Sequence, residues 1–257
     1  MELNLKGRIA LITGGSRGIG FGIAKGLAAA GCHLHLASRS AEDLQRAVTQ
    51  IKDEYQVEVT PHALDLSRFD SLNGLAETCG DIDILINNAG AIPAGTLASV
   101  DELTWRQAWD LKVFGYIHLM RMIYPRMCSR RRGVIVNIAG TAGERPLAGY
   151  VAGSMGNAAI IALSRALGGE SLDHGVRVLA VNPGPTETDR VYGFLKGRAS
   201  TELGDAERWR ELTARLPAGR LASIAEVANM VTFLCSDLSS YTSGTVVTID
   251  GGASSRG

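Results

Sequence analysis

The stretch Thr13-Gly14-Gly15-Ser16-Arg17-Gly18-Ile19-Gly20 decides how the rest of this sequence is read. Residues 8–13 read as a strand before it and residues 19–30 as a helix after it, so the glycines occupy a strand-to-helix turn. In that setting a glycine-rich turn lets backbone approach a pyrophosphate, and the helix amino terminus offers unpaired N–H groups and a favourable dipole. The same glycines without flanking elements would be an ordinary turn.

Outward from this turn, short β-rich runs alternate with longer helical patterns. Residues 8–13, 33–38, 57–63, 82–87, 134–138, 176–181 and 245–249 read as strands. Residues 19–30, 41–55, 69–78, 101–130, about 149–174 and 225–235 read as helices, the last announced by Ser223 with Glu226 three residues on. The strands are continuous apolar runs, as expected when helices cover both faces. The alternation predicts one domain over residues 1–257, a Rossmann-like doubly wound parallel sheet of seven strands with helices on both faces. Residues 184–217 read as one long, charge-rich connection, a functional lid at the carboxyl end of the sheet.

Twenty-six basic and 26 acidic residues leave no net charge to attract nucleic acid or an anionic membrane. Small molecules or other protein chains are therefore the expected partners. Cys32, Cys79, Cys128 and Cys235 form no C-x-x-C pair, which suits reduced, packed thiols better than disulfides or zinc. His33, His35, His62 and His174 show no ligand-like clustering, and no metal is expected. Residues 1–8 lack an apolar leader core, and no apolar run approaches the roughly 20 residues of a membrane span. A soluble, cytoplasmic protein is expected. Arg130 to Arg132 read as a solvated helix end.

Further marks lie at the strand ends: Asp65, Asn87-Asn88-Ala89-Gly90, Asn182-Pro183-Gly184 and Asp250-Gly251-Gly252. With the T-G-x-x-x-G-x-G turn they make the chain resemble the short-chain dehydrogenase/reductase family over essentially its whole length. The resemblance implies that Gly14, Ser16, Arg17, Gly18, Ile19 and Gly20 hold a dinucleotide's phosphates. It implies Asp65 and Leu66 against the adenine, Asn88, Ala89 and Gly90 beside the cofactor, and Pro183, Gly184, Thr186 and Thr188 along the nicotinamide. Asn87 would hold the central strand ends together. An NAD-selective relative ends its second strand in a carboxylate that binds the ribose 2′-hydroxyl. Here that segment is Ala37-Ser38-Arg39-Ser40, and Arg39 with Arg17 can fork around a 2′-phosphate, with Ser38 and Ser40 as extra donors. NADP(H) is favoured over NAD(H).

The family handles its substrate oxygen with a Ser, a Tyr and a Lys four residues after the Tyr, and an Asn holds a relay water. A gapless count between the flanking motifs puts Lys112 at the Asn position, Gly140 at the Ser, Gly153 at the Tyr and Asn157 at the Lys. Tyr150 stands one turn before Gly153, but its own fourth-next residue is Ser154. Tyr150 reads either as a packing or substrate-contact residue or as a relocated acid, and Lys112 as the matching cation or as a solvent-facing helix residue. The Asn157 amide can still bind the ribose hydroxyls. Glu144 and Arg145 either clamp a polar substrate or are ordinary loop charges, and His118 reads as an interface or core residue.

Two functions follow from this pattern. One is an NADP(H)-binding oxidoreductase acting on a carbonyl or alcohol with non-standard residues, Lys112 and Tyr150 leading. The alternative is a catalytically silent homologue, serving as a structural or regulatory subunit or a nucleotide-binding module. The resemblance implies a homo-oligomer, dimer or tetramer, or a hetero-oligomer with an active paralogue. Gly156, Ala158, Ala159 and Ala162 would permit close helix approach.

Overall fold

Seven strands form one sheet in the order β3-β2-β1-β4-β5-β6-β7. They are β1 Ile9–Thr13, β2 His33–Ser38, β3 Val59–Ala63, β4 Ile84–Asn87, β5 Gly133–Ile138, β6 Val176–Pro183 and β7 Val246–Ile249, every pair parallel. The computed structural model describes residues 2–256; Met1, part of the amino-terminal stretch read above, and Gly257 lie outside the described residues. Helices α1 Gly18–Ala29, α2 Ala41–Glu54 and α9 Ile224–Cys235 pack on one face, where Ile23, Leu27, Leu44, Ile51, Val227 and Val231 are buried. Helices α3 Phe69–Cys79, α5 Gly115–Ser129 and α6 Val151–Ser171 cover the other, with Leu72, Leu75, Leu119, Ile123, Ile160 and Ile161 inside. Every residue of β5 and β6 is buried, which explains why both are mainly apolar, with Asn137, Arg177 and Asn182 as buried polar exceptions. β3 is largely exposed beyond Val59, and Pro61 is tolerated there because the strand forms a sheet edge.

The chain order reverses between β1 and β4, opening a crevice at their carboxyl ends where doubly wound sheets bind ligands. The Ser223 capping box is present, with Ser223 and Glu226 exchanging side-chain and backbone bonds.

Four expectations change. The helix expected over 101–130 is α4 Glu102–Trp109, a π-helical turn Asp110–Phe114, and then α5. The connection 184–217 is largely helical, with α7 Asp189–Leu203 and α8 Trp209–Thr213. Val191, Leu195 and Ala199 recur at helical spacing and pack with Leu212, Leu221 and Trp209 in a small core of their own. Arg130 is tied rather than solvated, donating to the Ile82 carbonyl, whereas Arg131 and Arg132 are exposed as expected, with Arg131 donating to the Asp173 carbonyl and Arg132 pairing with Asp83 at 3.0 Å. The fourth concerns His35 and His62, which come within 2.8 Å of each other on adjacent strands. All four cysteines are free thiols, and His118 packs at a tilt against Phe69 and faces Asn73 Oδ1 at 3.1 Å.

One glycine sets how closely α6 lies on the sheet. A Cβ at Gly168 would overlap the backbone of Gly244 and the Val178 carbonyl, neither of which can yield, whereas nothing stands within 4 Å of the neighbouring Gly169. Gly168→Ala is expected to destabilise the protein by about 1 to 3 kcal/mol. Gly169→Ala should stabilise it by about 0.5 to 1 kcal/mol through helix propensity. Urea unfolding of the two variants checks the pair, and shifts of the same sign would refute the packing account.

Candidate active site

The glycine turn closes β1 against the end of β4. Gly14 adopts a φ of +66°, and a Cβ at Gly20 would overlap the Gly14 carbonyl, so neither position accepts a side chain. Thr13 Oγ1 accepts from the Asn88 N–H at 2.9 Å and the Ala89 N–H at 3.1 Å. Asn88 Nδ2 donates back to the carbonyls of Thr13 and Gly14 at 3.0 and 3.3 Å, so this side chain braces the turn. Asn87 Nδ2 donates to Asn137 Oδ1 at 2.9 Å, joining the ends of β4 and β5 as expected.

A cleft of about 470 Å³ is lined by Arg39, Asp65, Ser67, Pro93, Gln107 and Leu111. Arg17 and Arg39 are exposed, and Leu66 is buried. Asp65 accepts from both the N–H and hydroxyl of Ser67, which hold its carboxyl below the ordinary aspartate value, with Arg39 adding to the effect. Ser38 Oγ is buried with no hydrogen-bond partner. Ser40 caps α2 instead, accepting from the Asp43 N–H at 3.1 Å.

The other end of the crevice holds Lys112, whose aim comes from the π turn, a local widening that redirects side chains. Lys112 crosses Gly90 so closely that a Cβ there would stand 2.8 Å from its Cδ. Its ammonium donates to the Ala139 carbonyl at 3.1 Å, one residue before Gly140. The solvent-facing reading of this residue is therefore set aside. Burial, and then the nearby charge of Arg190, press its pKa down to about 7.

Arg190, on the first turn of α7, went unnoticed in the sequence. It donates to the carbonyls of Gly90 and Ile92 and lies 3.3 Å from the Tyr150 hydroxyl. The only available signal was its place six residues after Gly184, within the expected lid. Tyr150 packs with Ile92, Trp105, Trp109 and Ala152, and the hydroxyl-bearing end of its ring lies on the bare backbone of Gly153. Ser154, four residues after Tyr150, accepts from the Leu147 N–H at 3.0 Å and caps the loop.

Gly140 and Asn157 face each other, with a Cβ at 140 standing 3.1 Å from Asn157 Nδ2. Asn157 Oδ1 is buried without a partner. Thr186 is buried and donates to the Gly184 carbonyl at 2.9 Å, while Thr188 caps α7 and touches the space above Gly18. Glu144 and Arg145 are occupied elsewhere: Glu144 accepts from Asn182 Nδ2 at 3.0 Å and pairs with Arg165, and Arg145 donates to the Ala253 carbonyl.

Residues 14–254 match the family model described as enoyl-(acyl carrier protein) reductase. The chain belongs to the short-chain dehydrogenase/reductase family. It is 33% identical over 262 residues to an uncharacterized oxidoreductase of Bacillus subtilis, covering 98% of each chain. It is 33% identical over 256 residues to a 3-oxoacyl-(acyl-carrier-protein) reductase of Aquifex aeolicus, covering 98% of this chain and 99% of the relative. Among solved structures, the L-sorbose reductase of Gluconobacter frateurii complexed with NADPH and L-sorbose superposes over 100% of both chains, with a TM-score of 0.93 at 30% identity.

For this short-chain dehydrogenase/reductase the Lys112 shift carries a stability signature. Between pH about 7 and the ordinary lysine value of 10.5, the unfolded chain holds a proton that the folded one has released. The stability of the ligand-free protein should therefore rise with pH across that window. Lys112→Met removes this contribution, and unfolding titrations of parent and variant at several pH values should show a flatter slope in the variant. Parallel slopes would place the ammonium in water.

Proposed function

We propose that this chain is an NADP(H)-dependent oxidoreductase that reduces a carbonyl group, or oxidises the matching alcohol, with Lys112 at the substrate oxygen. One observation carries the reading: the Lys112 ammonium stands in the crevice at the Ala139 carbonyl, beside the bare Gly140.

The residues present fit a dinucleotide. Two buried polar atoms without partners, Ser38 Oγ and Asn157 Oδ1, stand where the family places the adenosine and nicotinamide riboses. Arg17 and Arg39 would take the 2′-phosphate, Gly14 to Gly20 the pyrophosphate, and Thr186 and Thr188 the nicotinamide end. Asp65 and Leu66 would border the adenine, with Ala89 and Gly90 beside the cofactor. The second strand ends without a carboxylate, and the L-sorbose reductase relative is complexed with NADPH. When bound, the cofactor supplies a hydride equivalent to the carbonyl carbon.

With one N–H on Ala139, Lys112 retains further donors for a substrate oxygen. A pKa of about 7 suits a group that must carry a proton at neutral pH and give it up as the alkoxide forms. Asn157 offers an amide to ribose hydroxyls but no proton. Tyr150, held on Gly153 and tied to Arg190, forms the wall that fixes the substrate beside Lys112. Gly140 and Gly153 leave room for the oxygen to sit nearer Lys112 than the family's Ser and Tyr would allow.

NADPH consumption across a panel of ketones and aldehydes, with the parent, Lys112→Met and Tyr150→Phe, tests the reading. Turnover lost in Lys112→Met supports it; turnover unchanged in both variants removes the roles. NADPH binding without any turnover would favour the silent-subunit alternative, which copurification with an active paralogue then checks.

A further inference from the structure

At the open edge of the sheet, β2, β3 and the carboxyl end of α3 bring His35, His62 and Cys79 together. Their ligand atoms all lie within 4.8 Å of one another. His35 Nδ1 and His62 Nε2 are 2.8 Å apart, and Cys79 Sγ is 3.8 Å from His62 Nε2. None of the three is engaged in the crevice described above. The two imidazoles are only partly buried, so solution reaches the cluster, while Cys79 closes it from below.

Two nitrogens and a sulfur converging from three elements match a zinc donor set. Tetrahedral bonds of about 2.0–2.1 Å to nitrogen and about 2.3 Å to sulfur hold the two nitrogens about 3.3 Å apart and each about 3.6 Å from the sulfur. The two nitrogens reach that separation by moving apart by about half an ångström, and Cys79 Sγ already stands close to it from His62; the remaining pair, within 4.8 Å, closes by about an ångström at most through side-chain rotation. A thiol in the set disfavours calcium and magnesium, which take oxygen ligands.

We propose that His35, His62 and Cys79 form a binding site for a zinc-class divalent cation, with water in the fourth position. The ion clips β3 to β2 and to α3 at the β3 edge of the sheet. On binding, the proton shared by the imidazoles moves to an outer ring nitrogen. The Cys79 S–H bond breaks as the sulfur–metal bond forms, one proton leaves to solvent, and no electrons are transferred.

The test uses the full-length, untagged protein, stripped with a chelator and titrated with Co²⁺ as a spectroscopic stand-in, followed by Zn²⁺ competition. The expected result is one Co²⁺ per chain, with tetrahedral visible bands and a sulfur-to-cobalt charge-transfer band that Zn²⁺ abolishes. Cys79→Ser should lose the charge-transfer band, and His62→Gln, at the partly exposed edge, should weaken Co²⁺ binding by at least about a hundredfold. Circular dichroism establishes that each variant is folded; should Cys79→Ser fail to fold, His62→Gln decides alone. A cobalt spectrum without the sulfur band, or affinity unchanged in folded His62→Gln, overturns the proposal and assigns the ion to other surface groups.

Discussion

Lys112→Met lowers kcat for NADPH-dependent carbonyl reduction by about 10² to 10⁴-fold, the usual span for removing a positioned general acid. NADPH affinity should stay nearly constant, because Lys112 reaches the Ala139 carbonyl, away from the Arg39 and Asp65 end of the cleft. In the parent, reduction should slow as pH rises through about 7, where the ammonium loses its proton. Lys112→Arg separates charge from proton supply, since a guanidinium stays protonated throughout this range. It should recover part of the substrate binding while losing the pH dependence. Tyr150→Phe should cost less than about tenfold, because the 3.3 Å contact with Arg190 is long and solvent-exposed, and Arg190 keeps the Gly90 and Ile92 carbonyls without it. Steady-state kinetics over a pH series read all three variants, and a larger loss in Tyr150→Phe than in Lys112→Met would return the proton to the phenol.

Arg39→Glu weakens NADPH binding by about 10 to 100-fold, corresponding to the roughly 1.5 to 3 kcal/mol of a hydrogen bond to a charged group. The new carboxylate also repels the 2′-phosphate, while offering the ribose 2′-hydroxyl of NADH an acceptor. NADH affinity should hold or improve, so the preference reverses. Arg39 lines the cleft and is exposed, so the substitution leaves the core untouched. Fluorescence titration with both dinucleotides checks it; equal losses for the two, or none, would mean that Arg39 does not read the phosphate.

Much of the fold was legible because a parallel sheet buried on both faces writes continuous apolar runs into the chain. All seven strands were found that way, with errors of at most two residues at their ends. The 101–130 run was read as one regular helix because a π turn adds a single residue and leaves the composition unchanged. Helix α7 was hidden by Gly193 and Gly197, although its Val191, Leu195 and Ala199 stripe was present. At the site, the glycine turn and the bare positions Gly140 and Gly153 stood out in the sequence, whereas Arg190 did not, since nothing local marks a residue whose partners lie some hundred positions earlier.

The chain alone announced a dinucleotide-type turn, an order of alternating elements and a second strand ending in arginine rather than a carboxylate, because these depend on local patterns and motif spacing. Packing decided the rest. The π turn aims Lys112 into the crevice, the Tyr150 ring settles on Gly153, and two histidines from neighbouring strands meet a cysteine from a helix. Each of these arises from contacts between distant residues, whose directions are set only when helices and strands close on one another.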